Sequence, residues 1–341
     1  MKKSAALLSA LMALMFAVVA VVTPTASAAP AFNENPTGTR GHMRPGCIDA
    51  KLMYWVQSCW VESKAMGKKI KVQIQPAMRG GTAGLYLLDG MRATDFRNAW
   101  MVDPDAHKTF VRDNVTLVMP VGGRSSFYTD WSVRPSTTFN GENVNYAWDT
   151  FLSKELPVYL QQNFGVDPNN NGIAGLSMGG SASLAMAAKH PKQFKLASSF
   201  SGYLHTTVPG MWSMIGLAQL EVGGYKITDM WGNPNSEKAR ADDPWFQAER
   251  LRGKDIYISS ATGIPGNHDQ PKDLQQQFNT FNGTVLEGLS RASARDFQLR
   301  LATLGIPAQF SLPDQGIHSW YYWTEELHKA RPFFLKSLNA R

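Results

Sequence analysis

Ile173-Ala174-Gly175-Leu176-Ser177-Met178-Gly179 is the stretch that decides the fold of this chain. A short apolar run ends in a small-x-Ser-x-small pentapeptide, and residues 181–188, Ser-Ala-Ser-Leu-Ala-Met-Ala-Ala, read as a helix, so Ser177 falls at a sharp strand-to-helix turn. Glycines at 175 and 179 leave room for such a turn. A seryl hydroxyl is unreactive at neutral pH. It becomes a nucleophile only when a base reaches its oxygen and two N–H groups face the developing oxyanion. The rest of the chain has to supply them.

Outward from Ser177 the pattern is strand, turn and helix in alternation. Residues 69–75 alternate charged or polar and apolar positions as a half-buried strand does, whereas 84–88 and 115–119 are continuously apolar and read as central strands. Pro120 and the pair Gly122-Gly123 close the second of these. Residues 148–164 read as a helix across Pro157, and the helix after Ser177 stops near His190-Pro191. Further strands are expected at 197–202, 255–260 and 308–312. Strands separated by helical runs predict a mostly parallel central sheet with helices on both faces, and a serine elbow near its middle specifies an α/β-hydrolase fold over residues 68–341. Residues 206–252, rich in Met, Trp and Gly, are too long for a simple crossover and read as a helical, cap-like insertion over the site.

The first 28 residues differ from the remainder. Lys2-Lys3 is a basic start, residues 5–22 are apolar without a charge, and Ala26-Ser27-Ala28 is a small-x-small cleavage site, which is the pattern of a secretory signal peptide. Its removal lowers the formal charge of the 341-residue chain from +7 to +5. The basic residues are scattered and not interleaved with aromatics, which argues against nucleic-acid binding and leaves room for peripheral contact with an acidic envelope. Only two cysteines exist, Cys47 and Cys59. In an oxidising compartment a disulfide between them is expected, pinning an N-terminal flap at 29–67; two thiols without a histidine pair make an incomplete zinc site. No motif requires a metal or an organic cofactor.

Among seven histidines, His318 lies in the loop directly after the last strand, where this fold places its base; His328 falls on an expected terminal helix, and His268 is the rival in a Gly- and Pro-containing loop. The orienting acid is expected after the 255–260 strand, where Asp269, Asp273 and Glu287 compete and spacing does not choose between them. One oxyanion N–H should come from the residue after the nucleophile, Met178. The other should come from the loop after an early central strand, and residues 87–92, Leu-Leu-Asp-Gly-Met-Arg, form that kind of loop. Asp89 and Arg92 there offer a carboxylate and a guanidinium suited to sugar hydroxyls, with a plain surface ion pair as the alternative.

Several blocks together carry a resemblance: Leu87-Leu88-Asp89-Gly90-Met91-Arg92, Val118-Met119-Pro120-Val121-Gly122-Gly123, Ser125-Ser126-Phe127-Tyr128-Thr129-Asp130-Trp131, Gly175-Leu176-Ser177-Met178, Gly223-Gly224-Tyr225-Lys226 with Asp229-Met230-Trp231-Gly232, and His318-Ser319-Trp320. In one order and with close spacing from about residue 66 to 338, they resemble the antigen 85 type mycolyltransferases of mycolic-acid bacteria. The resemblance implies transfer of a mycoloyl group from one trehalose monomycolate to another, or to cell-wall arabinogalactan, by a secreted or envelope enzyme. It also implies Glu287 as the acid, through the block Leu286-Glu287-Gly288; Met91 and Met178 as backbone oxyanion donors; and Asp89, Arg92, Ser319 and Trp320 as trehalose contacts. The chain departs from the family at the Cys47–Cys59 stretch, which looks like an insertion, and over residues 262–284, expected as a loop. Ser260 stands where many members carry a cysteine, so thiol-directed inhibition is not expected. A secreted carboxylesterase of the same fold, or a non-catalytic envelope-binding protein, are the competing readings.

Overall fold

Strands β4 (Ala83–Leu88), β5 (Val115–Pro120) and β6 (Asn171–Leu176) are buried at every position, as strands covered by helices on both faces must be. The computed structural model describes residues 41–51, 54–136, 138–139 and 144–341. The signal-peptide segment 1–28 and the first part of the 29–67 segment lie outside the described residues. Among the described residues nine strands form one sheet in the order β1-β2-β3-β5-β4-β6-β7-β8-β9. The others are β1 (Cys47–Asp49), β2 (Gln57–Ser63), β3 (Lys68–Gln75), β7 (Phe194–Phe200), β8 (Asp255–Ser259) and β9 (Gln309–Ser311). From β5 through β9 all neighbours run parallel, and β1, β2 and β3 add on antiparallel. Along β4 the side chains alternate between two apolar clusters, Tyr86 and Leu88 on one face and Leu85 and Leu87 on the other. This is the mostly parallel α/β-hydrolase sheet that the apolar runs predict.

Where a flap was expected at 29–67, β2 pairs with β3 over seven residues and β1 pairs with β2, so the described part of the segment extends the sheet edge. The alternation of Gln57-Ser58-Cys59-Trp60-Val61-Glu62-Ser63 matches that of β3, which supplies the pairing. Cys47 and Cys59 stand opposite each other in the β1–β2 ladder and form a disulfide.

Residues 148–164 are helical throughout, but the middle turn, Phe151–Glu155, is π-helical before α1 (Leu156–Phe164). Pro157 has no N–H and its ring would meet the carbonyl of residue 153 in a regular helix, and the wider π turn accommodates it. Helix α2 (Met178–Lys189) follows Ser177 directly. The insertion contains α3 (Pro209–Gly223), α4 (Ile227–Trp231), α5 (Glu237–Ala241) and α6 (Pro244–Gln247). Residues 274–284, expected as loop, are the opening turns of a 30-residue helix, α7 (Leu274–Thr303), started by the Asp273 side chain, which accepts from the Gln276 N–H. Gly283 hides this helix in the sequence, and it is needed because Ile317 packs against its Cα side. Helix α8 (Trp320–Ser337) ends the fold.

Candidate active site

Ser177 sits at φ 52° and ψ −119°, a conformation few L-residues adopt, between the end of β6 and the first turn of α2. Two glycines make the turn possible. A Cβ at Gly175 would lie 2.3 Å from the Gly179 carbonyl oxygen, and one at Gly179 would lie 2.6 Å from the Leu88 carbonyl oxygen. The nucleophile helix is thereby pressed onto the end of β4. The Ser177 N–H donates to the Phe200 carbonyl at 2.8 Å, which fastens the elbow to β7.

The structure brings two of the remaining candidates together. Glu287, in the middle of α7 and 1% exposed, places one carboxylate oxygen, Oε2, 2.8 Å from His318 Nδ1. Its Oε1 accepts from Ser201 Oγ at 2.8 Å, Ser260 Oγ at 3.1 Å and the Ala261 N–H at 2.7 Å. The carboxylate is therefore held on three donors and offers its other oxygen to the imidazole. That contact makes Nδ1 the protonated nitrogen and leaves Nε2 with a lone pair. The imidazole packs edge-on against Trp323 at 4.9 Å and stacks on Tyr203 at 6.3 Å, while the His318 N–H donates to the Gly283 carbonyl. Among the described residues no hydrogen bond joins Ser177 Oγ to His318; such contacts commonly close only in a substrate complex.

The competing groups are occupied elsewhere. His268 bonds to and stacks on Tyr321, Asp269 accepts from Tyr322 and the Gly266 N–H, and Asp273 caps α7. Sequence reasoning passed over Ser201 and the Ala261 N–H. Ser201, in a left-handed turn just after β7, also accepts from Trp323 Nε1 at 3.0 Å, so one hydroxyl links α8 to the carboxylate. No sequence signal marks it. Ser260, noted only as a cysteine replacement, turns out to touch Glu287 directly.

On the other side of Ser177, the Met178 N–H opens α2, and neither it nor the Met91 N–H donates to another group among the described residues. Gly90 brings the 89–92 loop against the elbow, since a Cβ there would lie 2.9 Å from Leu176 Cδ1 and 3.8 Å from Ser177 Cβ. The loop after β5 braces both donors: the Ser125 N–H donates to the Met91 carbonyl at 3.0 Å, the Phe127 N–H meets Met178 Sδ at 3.3 Å, and the Asp89 N–H donates to Tyr128 Oη at 3.0 Å. Ser125, Phe127 and Tyr128 all have φ between 48° and 57°. Three left-handed non-glycine residues in one short loop mark a conformation imposed by its surroundings.

The expected sugar contacts are placed unequally. Asp89 is buried and its carboxylate turns inward, accepting from the Ala99 N–H at 2.9 Å and the Gly90 N–H at 3.3 Å; burial pushes its pKa up to about 7 against the pull of those two bonds. Arg92 is exposed and reaches Glu221 of the insertion at 2.8 Å. Ser319 precedes α8, and the Trp320 ring packs against Trp100 and Trp323. Among the described residues no group of three or more His, Cys, Asp or Glu side chains is arranged to hold a metal, and no helix is long and apolar enough to cross a membrane.

A strained serine at the end of a parallel strand, with a buried carboxylate–imidazole pair at the same sheet end, defines a serine-dependent acyl-transfer enzyme of the α/β-hydrolase class. Residues 63–334 match the family described as "Putative esterase". The chain is 39% identical over 274 residues to the diacylglycerol acyltransferase/mycolyltransferase Ag85C of Mycobacterium avium, spanning 80% of this chain and 74% of that protein. It is 40% identical over 287 residues to Ag85B of Mycolicibacterium smegmatis, spanning 81% and 83%. The crystal structure of Mycobacterium tuberculosis MPT51 (FbpC1) superposes with a TM-score of 0.70 at 27% identity, over 83% of this chain and 98% of that one. An S-formylglutathione hydrolase from Agrobacterium tumefaciens shares the fold at 16% identity and a TM-score of 0.60. The chain belongs to the antigen 85 family of diacylglycerol acyltransferases/mycolyltransferases.

Proposed function

We propose that this enzyme moves a mycoloyl group from trehalose monomycolate to a second trehalose monomycolate, giving the dimycolate, or to cell-wall arabinogalactan, through a mycoloyl-Ser177 intermediate. The observation that carries the reading is the Glu287–His318 pair, whose Nδ1–Oε2 contact of 2.8 Å leaves Nε2 as the acceptor for a proton. His318 Nε2 takes the Ser177 hydroxyl proton while Oγ attacks the ester carbonyl. The Met91 and Met178 N–H groups donate to the oxyanion. Collapse expels trehalose, which leaves with the proton from His318. A hydroxyl of the second sugar then gives its proton to the same nitrogen and attacks the acyl-serine, and Ser177 leaves reprotonated.

Water competes for that intermediate, so transfer requires an acceptor held in place; oriented groups reach effective molarities of ~10⁵ M or more. We assign that role to Arg92, Ser319 and Trp320 as sugar contacts, with Asp89 shaping the loop beneath them. The acyl chain lies along the insertion, where Leu217 and Leu220 of α3 are exposed. The same reading places the protein in the envelope or outside the cell, after signal-peptide removal.

Incubating the mature protein with a short-chain trehalose monoester tests the reading. Diester and free trehalose should form, and both should vanish in Ser177→Ala. Free acid without diester, unaffected by added trehalose, would favour the carboxylesterase.

A further inference from the structure

Helix α3 of the insertion sends two neighbouring side chains into the loops that frame Ser177. Gln219 is fully buried, and its Nε2 donates to the Ser125 carbonyl at 2.8 Å. The Ser125 N–H in turn donates to the Met91 carbonyl at 3.0 Å. Two residues along the same helix, Glu221 accepts from Arg92 at 2.8 Å. Both halves of the Met91-Arg92 segment are thus held from α3, one through Ser125 and one directly. A third tie runs from two residues past α3's end: Tyr225, whose N–H donates to the Gln219 carbonyl, meets Tyr146 Oη at 3.4 Å, and Tyr146 donates to the Arg124 carbonyl at 2.8 Å.

Ser125 does not fix itself. Its φ is 57°, its side-chain hydroxyl is buried without a partner, and what holds it left-handed are the bonds to its backbone. The Ser125 bond clamps the 91–92 peptide, and the peptide that carries the Met91 N–H is clamped through its own carbonyl, Gly90, which accepts from the Ala93 N–H at 3.1 Å. With both neighbouring peptides held, loss of the Ser125 tie frees ψ of Met91 and with it the placement of the second oxyanion donor. Oxyanion donors act through placement, and an error of ~1 Å in such a group can cost on the order of 10²-fold in rate.

We infer that Gln219 is a positioning residue for acyl transfer: through Ser125 it sets the Met91 N–H against the oxyanion, so that the insertion helix and the catalytic centre form one mechanical unit. This rests on the proposed triad and oxyanion roles. A residue that merely satisfied a buried carbonyl would affect stability. One that positions an oxyanion donor affects the transition state selectively, and its loss is read in kcat and in the preference for carbonyl oxygen over sulfur.

The test uses the mature protein, p-nitrophenyl butyrate and its thionoester analogue, with Gln219→Met, which keeps length and bulk but cannot donate. The expected result is a 10- to 100-fold fall in kcat, KM within about twofold, and a reduced ester-to-thionoester rate ratio. If Gln219→Met does not fold, Gln219→Leu, which also lacks a donor, carries the same comparison. A kcat within twofold of wild type, or a fall in kcat with the ester-to-thionoester ratio unchanged, overturns the inference. Ser177→Ala run alongside separates the two layers: if it retains wild-type turnover, the triad reading fails, whatever Gln219 does.

Discussion

Ser201 shows how much of this site depends on a residue with no chemistry of its own. Its hydroxyl accepts from Trp323 Nε1 and donates to Glu287 Oε1, and Ser260 and Ala261 complete the set that turns Oε2 toward His318. Ser201→Ala should lower kcat several-fold with little change in KM, because the carboxylate keeps two donors but loses the one tied to α8; steady-state kinetics on a short-chain ester check it. Asp89 is the second telling residue. Burial raises its pKa to about 7, so between the ordinary carboxylate range and pH 7 the folded protein holds a proton that the unfolded chain has released. The unfolded state then binds fewer protons, and stability falls as pH rises through that window. Scanning calorimetry of Asp89→Asn against wild type should show a difference in melting temperature that shifts in favour of the variant from pH 4 to pH 8. A difference independent of pH would contradict the buried-carboxylate assignment.

At the scale of elements, the sheet was legible because β4, β5 and β6 are buried on both faces and therefore continuously apolar. The elbow was legible because Gly175 and Gly179 must flank a serine pressed onto β4. Helix α7 was not. Its first turns are polar and carry Gly283, whose place is set by the packing of Ile317 and by the His318 N–H, contacts that exist only in the folded chain. The same gap left the acid open: Glu287 lies mid-helix, while Asp269 and Asp273 occupy the loop where the topology equally allows an acid. Only the family resemblance pointed to Glu287. The β1–β2 extension was hidden because the strands are short and their pairing depends on the edge of β3. Its disulfide closes a separation of 12 residues, which stabilises by ~2–3 kcal/mol, and it lies at the sheet edge away from β6. Replacing both cysteines by serine should therefore lower the melting temperature by several degrees and leave kcat/KM within twofold.

For the whole molecule, the question is why a fold shared with hydrolases transfers an acyl group to a sugar. The triad and oxyanion donors suit either outcome. On the proposed reading, what separates them is the set of groups that would hold a sugar acceptor: Arg92 with its Glu221 contact, Trp320, and the insertion whose α3 bonds to the Ser125 carbonyl. Membership of the antigen 85 family and the geometry around Ser177 meet in one central claim, that a covalent acyl-Ser177 passes its acyl group to a sugar hydroxyl faster than to water. The measurement that addresses it most directly is mass spectrometry of the enzyme mixed briefly with a short-chain trehalose monoester and then chased with isotopically labelled trehalose. An acyl adduct is expected on the peptide containing Ser177, lost on the chase as labelled monoester appears. An adduct on another residue, or one that decays to free acid at the same rate with and without trehalose, would contradict it.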